Sequence, residues 1–136
     1  MSRPTVRVVV DSGVLAGDVK KEKSAKIVME IIRRSPWIVI IASIPLLDEA
    51  QTVIETDFGE ELAKKWREDI ESMCEIVDHL EGDHPALASA YVGNAQHIIS
   101  GDEMLTNAKA GVAIRTKIET SVKRPDAFVK LFENII

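Results

Sequence analysis

The stretch Val6–Gly17 reads VRVVVDSGVLAG, and its reading decides the fold. Val6 to Val10 is β-branched at every position but Arg7, the pattern of a strand buried on both faces. It stops at Asp11, and SGVLAGD then turns the chain. A lone Asp after a buried strand is ordinarily a turn residue or a helix cap. Its meaning changes if other acids along the chain come to the same place.

A length of 136 residues suits one domain spanning 1–136. With 46% hydrophobic and 29% charged residues the chain reads as globular, not disordered. Its longest apolar run, WIVIIA from Trp37 to Ala42, is far short of the ~18 residues a membrane span needs. The N-terminus lacks the apolar core of a signal peptide, so a cytoplasmic protein with no membrane partner is expected. A single cysteine, Cys74, excludes an internal disulfide and a Cys-rich zinc site. It falls on the helically spaced stripe Leu62, Trp66, Ile70, Cys74, Val77 and reads as a small core residue. The net charge of −5 argues against a protein whose main task is coating nucleic acid, but not against an enzyme that touches it locally. Basic residues do bunch, at Lys20 to Lys26, at Arg33 and Arg34, at Lys64 to Arg67, and at Lys123 with Arg124.

Onward from Asp11, apolar spacing predicts a helix over Ser24 to Arg34, ended by SPW, because Pro36 disfavours helix at Ser35. A second buried strand covers Trp37 to Ile41. Ser43 then caps a helix that has Pro45 in its first turn and runs to about Glu55. A long helix is expected over Glu60 to Leu80, a loop at EGDHP, and a helix from Ala86 to about Asn94. HIIS, His97 to Ser100, is a third strand, followed by a short helix from Asp102 to Gly111. Val112 to Arg115 is a fourth strand, TKIETSVKR holds a short fifth, and a terminal helix starts at Pro125. Strands alternating with helices imply an α/β fold, a three-layer α/β/α sandwich around a central, mostly parallel sheet.

In such a sheet ligands bind beyond the carboxyl ends of the strands. Asp11 follows the first strand directly and Asp102 follows HIIS by two residues. Asp48 and Glu49 lie one turn into the helix after the second strand, and Asp83 precedes the helix leading into HIIS. Singly, Asp83 and Asp102 suit helix caps, worth ~1 kcal/mol each. Together, carboxylates at four points along one edge repel one another unless a cation compensates. A hard divalent ion such as Mg²⁺ or Mn²⁺ prefers such oxygen ligands.

The segments VVVDSGVLAG, SIPLLDEAQTVIE and DHPALASAYVGNAQHIISGDEML resemble the successive acidic motifs of PIN domains, and RPDAFVKLF is similar to that family's closing helix. The likeness covers nearly the whole chain and is nearest to the VapC-like toxins. It implies a metal-dependent ribonuclease whose carboxylates Asp11, Glu49, Asp83 and Asp102 hold Mg²⁺ or Mn²⁺ and are catalytic. Ser12 and Ser100 support them. The first motif departs from the family's Asp-Thr-Asn, with Ser12 and Gly13 after Asp11, and Ser100 replaces a Thr. The resemblance further implies RNA as substrate, an antitoxin protein as partner, and a homodimer whose basic bunches pair into an RNA groove. A toxin and a housekeeping RNA-processing enzyme would share this site.

A phosphatase of the haloacid-dehalogenase type also starts with a strand and Asp, but needs a second Asp where Gly13 stands. A non-catalytic RNA- or protein-binding module is the reading from another class, and 4% aromatic content leaves few stacking platforms for bases. Adjacent residues of a helix point about 100° apart, so at most one of Asp48 and Glu49 faces the edge. The apolar stripe Leu46, Leu47, Ala50, Val53, Ile54 selects Glu49. The spacing of His79, His84 and His97 matches no zinc motif.

Overall fold

A computed structural model describes residues 5–80, 84–102 and 121–133. Along the chain run β1 (Val6–Val10), α1 (Ser12–Val19), α2 (Lys23–Arg34), β2 (Ile38–Ser43), α3 (Ile44–Phe58), α4 (Glu60–Met73) and β3 (Cys74–Val77). They are followed by α5 (Pro85–Gly93), β4 (His97–Ile99), β5 (Ser121–Lys123) and α6 (Pro125–Glu133). The five described strands form one sheet in the order β3-β2-β1-β4-β5, and every neighbouring pair among them is parallel.

Adjacent side chains on a strand point to opposite faces, so consecutive burial means that both faces are covered. Val8, Val9 and Val10 on β1, Ile40 and Ile41 on β2, and Ile98 and Ile99 on β4 are all buried. This is the three-layer α/β sandwich expected from the alternating pattern. Among the helices, α2 buries Ala25, Val28, Met29, Ile31 and Ile32 at helical spacing and carries Arg33 and Arg34 in its last turn, where cations suit the helix dipole. Ser43 caps α3, and Gly59, at φ 95°, ends it in a conformation that only glycine adopts readily. No described helix is long and apolar enough to cross a membrane.

The strand order puts a reversal at the centre of the sheet. The chain moves outward from β1 through β2 to β3, then returns to place β4 on the other side of β1. The carboxyl ends of β1 and β4 therefore flank a topological switch point, where open α/β sheets leave a crevice.

Two elements differ from the expectation. SGVLAGD is not a plain turn: Ser12–Val19 is helical, despite Gly13 and Gly17. Val14, Leu15 and Ala16 are buried there, and a Cβ on Gly17 would lie 3.0 Å from the Ala25 Cβ, so the glycine lets α1 approach α2. The helix over Glu60 to Leu80 stops at Met73, and Cys74–Val77 leaves it to form β3 at the sheet edge. Backbone pairing with β2, from Ile40 with Cys74 to Ser43 with Val77, overrides the helical stripe. Cys74 is thus a strand residue. Burial, aided by Glu71, pushes its thiol up to about 12, which makes it an inert packing residue. The short strand expected within TKIETSVKR is β5, while the helix expected from Asp102 to Gly111, beyond Asp102 itself, and the strand Val112 to Arg115 lie outside the described residues.

Helix α5 rests on the sheet through Gly93. A Cβ there would lie 2.6 Å from Cγ2 and 2.9 Å from Cδ1 of Ile41, which is itself fully buried. Gly93→Ala is therefore expected to destabilise the protein by ~1–3 kcal/mol, the usual cost of overpacking a filled core. A denaturant midpoint equal to the parent's would show that α5 can lift without cost.

Candidate active site

Asp11 is the first residue past β1. Its N–H extends the ladder to the Ile99 carbonyl at 2.9 Å, and its carbonyl accepts from Val14 and Leu15 at 3.0 Å each, opening α1. Its side chain is 8% exposed. Oδ1 accepts the Ser12 N–H at 2.8 Å and Oδ2 accepts the Ser100 hydroxyl at 2.7 Å. The carboxylate is thus both the cap of α1 and a group held at the switch point.

Ser100 joins the two strand ends. Fully buried, it donates to Asp11 and accepts the Asp102 N–H at 3.0 Å. A hydroxyl that donates once and accepts once in this way orients both neighbours. Asp102 is exposed beyond it and lines the same cleft as Asp11.

Glu49 enters from α3, with Oε1 accepting the Ser12 hydroxyl at 3.2 Å. Asp48 turns the other way and pairs with Arg67 at 2.7 Å. Arg67 also donates to Gln51 at 2.9 Å, so Asp48 is committed to the α3–α4 contact. Leu46, Leu47, Ala50 and Ile54 are buried as the stripe required, while Val53 is exposed. Asp83 lies outside the described residues. His84, the exposed N-cap of α5, makes no side-chain capping bond. His97 sits on β4 with Nδ1 2.6 Å from the Ser121 hydroxyl, and burial, together with Lys123, holds its imidazole below the usual range.

A cleft of about 550 Å³ opens over Asp11, Ser12 and Asp102. It is also lined by Glu22, Lys23 and Ser24 at the start of α2 and by Pro125. In the sequence these α2 residues stand out only as part of the basic bunch Lys20 to Lys26, and none of them is marked as a site residue. KKEKSAK has the look of a solvated helix start, and no local signal tells that it faces Asp11.

The family described as Family of unknown function (DUF7384) matches residues 2–135. The chain belongs to the DUF7384 family. No curated protein matches it. Its fold is similar to a chain in the crystal structure of VapBC2 from Rickettsia felis bound to a DNA fragment from their promoter. The TM-score is 0.56 and the identity 13%, over 88% of this chain and 98% of that one.

The donor chemistry of this DUF7384 member fits a hard divalent cation. Asp11, Glu49, Asp102, Ser12 and Ser100 offer only oxygen. Each Asp11 oxygen accepts one hydrogen bond in the structure and so retains a lone pair for a ligand. The described acids do not close into a cage by themselves: among the described residues no three His, Cys, Asp or Glu side chains converge on one point.

Proposed function

We propose that this DUF7384 member is a metal-dependent endoribonuclease of PIN type, hydrolysing phosphodiester bonds in single-stranded or structured RNA, as the toxin of a toxin–antitoxin pair. The observation that carries the reading is the buried Ser100 hydroxyl, which holds the Asp11 carboxylate beside Asp102 at the switch point of a parallel sheet. The motif resemblance and the VapBC2-like fold support the same reading, and the VapBC2 likeness favours an antitoxin partner over a housekeeping role.

The residues that would hold Mg²⁺ or Mn²⁺ are Asp11, Glu49 and Asp102, with Asp83. When bound, the ion lowers the pKa of water and neutralises charge building on the phosphoryl oxygens. Water attacks phosphorus in line, the P–O3′ bond breaks, and the water's proton ends on the leaving oxygen, giving a 5′-phosphate and a 3′-hydroxyl. Ser100 holds Asp11 through a buried hydrogen bond, and Ser12 orients Glu49 through a hydrogen bond at the exposed edge. Lys23 supplies positive charge on the cleft wall, where an RNA phosphate enters.

Incubating the protein with single-stranded RNA in Mn²⁺ or in EDTA tests the reading. Cleavage only with Mn²⁺ is expected; RNA retained but uncut under both conditions would identify a binding module instead. A second expectation needs no substrate. An ion that binds only the folded state raises stability by mass action, by ~2.7 kcal/mol at a hundredfold excess over Kd. Melting at low salt with millimolar Mn²⁺ should therefore lie several degrees above melting in EDTA, and superimposable curves would remove the cation from the proposal. In the same reading the enzyme is a cytoplasmic homodimer, and sedimentation showing only monomer at tens of micromolar would count against that part alone.

A further inference from the structure

Next to the carboxylate edge lies a second polar cluster, built around Ser43. Ser43, at the end of β2, and Ser89, on α5, are both fully buried. The Ser89 hydroxyl donates to Ser43 Oγ at 2.9 Å, and the Leu46 N–H reaches the same oxygen at 3.4 Å. His79 Nε2 is 2.8 Å from it, and His79 Nδ1 is 2.9 Å from the Leu80 carbonyl. A carbonyl only accepts, so Nδ1 carries the proton, and in the neutral ring Nε2 is then an acceptor. Ser43 therefore accepts twice and donates once, to His79, which uses the full capacity of a hydroxyl.

Three parts of the fold meet at that oxygen. Ser43 caps α3, the helix that carries Glu49. Ser89 belongs to α5, and His79 follows the last β2–β3 pair, Ser43 with Val77, by two residues. If burial alone were needed, apolar side chains at these positions would serve nearly as well. A directed hydrogen bond adds a fixed position for the start of α3, and misplacing a catalytic group by about 1 Å can cost ~100-fold in rate.

We propose that His79 is a positioning residue of the carboxylate site: through the Ser43 hydroxyl it holds the start of α3, and so Glu49, in place against Ser12. This rests on the ribonuclease reading above. The test compares His79→Leu with His79→Gln, whose amide oxygen can accept where Nε2 does. The Leu variant should stay folded and lose ~10–100-fold in kcat, as removal of an orienting partner does, with KM little changed. The Gln variant should stay within a few-fold of the parent. A Leu variant as active as the parent, or a Gln variant as impaired as Leu, overturns the proposal.

Two measurements stand apart from RNA cleavage. The imidazole ¹H–¹⁵N spectrum of the parent should show His79 protonated at Nδ1, and protonation at Nε2 alone would overturn the network even if His79→Leu fails to fold. The melting shift caused by Mn²⁺ should be smaller in His79→Leu than in the parent. If the parent does not cut RNA, the ribonuclease reading fails, while an equal shift in the two proteins is what overturns the role of His79.

Discussion

Asp11→Asn is expected to lower Mn²⁺-dependent RNA cleavage at least ~1000-fold, beyond the ~10–100-fold that groups acting through a ligand cost. The substitution separates the two roles that meet in this side chain. Asn caps a helix about as well as Asp, so the bond from the Ser12 N–H to the side-chain oxygen survives and α1 still starts where it does. What disappears is the negative charge and one carboxylate oxygen beside Ser100. The melting temperature without metal should stay near the parent's while the rate collapses. Asp11→Ala makes the comparison complete, since it also removes the cap and should cost ~1 kcal/mol more in stability. An Asn variant cleaving at the parental rate would reduce Asp11 to a helix cap and take the carboxylate mechanism with it.

Glu49→Gln is expected to lower cleavage at least ~100-fold, at the upper end of what loss of a metal-orienting group costs, with the fold retained. Asp48→Asn should leave the rate within a few-fold of the parent. The two acids are neighbours on α3, yet their partners differ completely. Glu49 meets the Ser12 hydroxyl next to Asp11, whereas Asp48 meets Arg67 of α4. The Asp48 side chain is 62% exposed, so its ion pair with Arg67 is screened and contributes at most ~1 kcal/mol. Neutralising Asp48 should thus register as a small stability change and nothing more. Rates measured in the reverse order would mean that α3 presents its other flank to the substrate.

The sequence by itself determined the α/β alternation, and it did so where burial is complete. β1, β2 and β4 sit inside the sheet with both faces covered, so each is written as a short, largely apolar run rich in β-branched residues. The cap of α3 and the stripes of α2 and α3 are equally local, and the stripe on α3 was enough to separate Glu49 from Asp48. β3 escaped notice because it is an edge strand. It is only half-buried, and Cys74 and Val77 continue the spacing of α4, so nothing local marks the change from helix to strand. α1 escaped because Gly13 and Gly17 weaken its helical signal, while the reason for Gly17, the approach to Ala25, lies on another helix.

The site divides in the same way. That acids follow β1 and β4 is visible in the chain, but their meeting depends on β4 returning to lie beside β1, and 89 residues separate Asp11 from its partner Ser100. The α2 wall with Glu22 and Lys23, and the link from His79 through Ser43 to Ser89, carry no periodicity at all. Periodicity records whether a side chain faces water or the core, a property each residue has within its own element. Which hydrogen-bonding groups face one another depends on strand order and helix placement, and these arise only when the whole core packs.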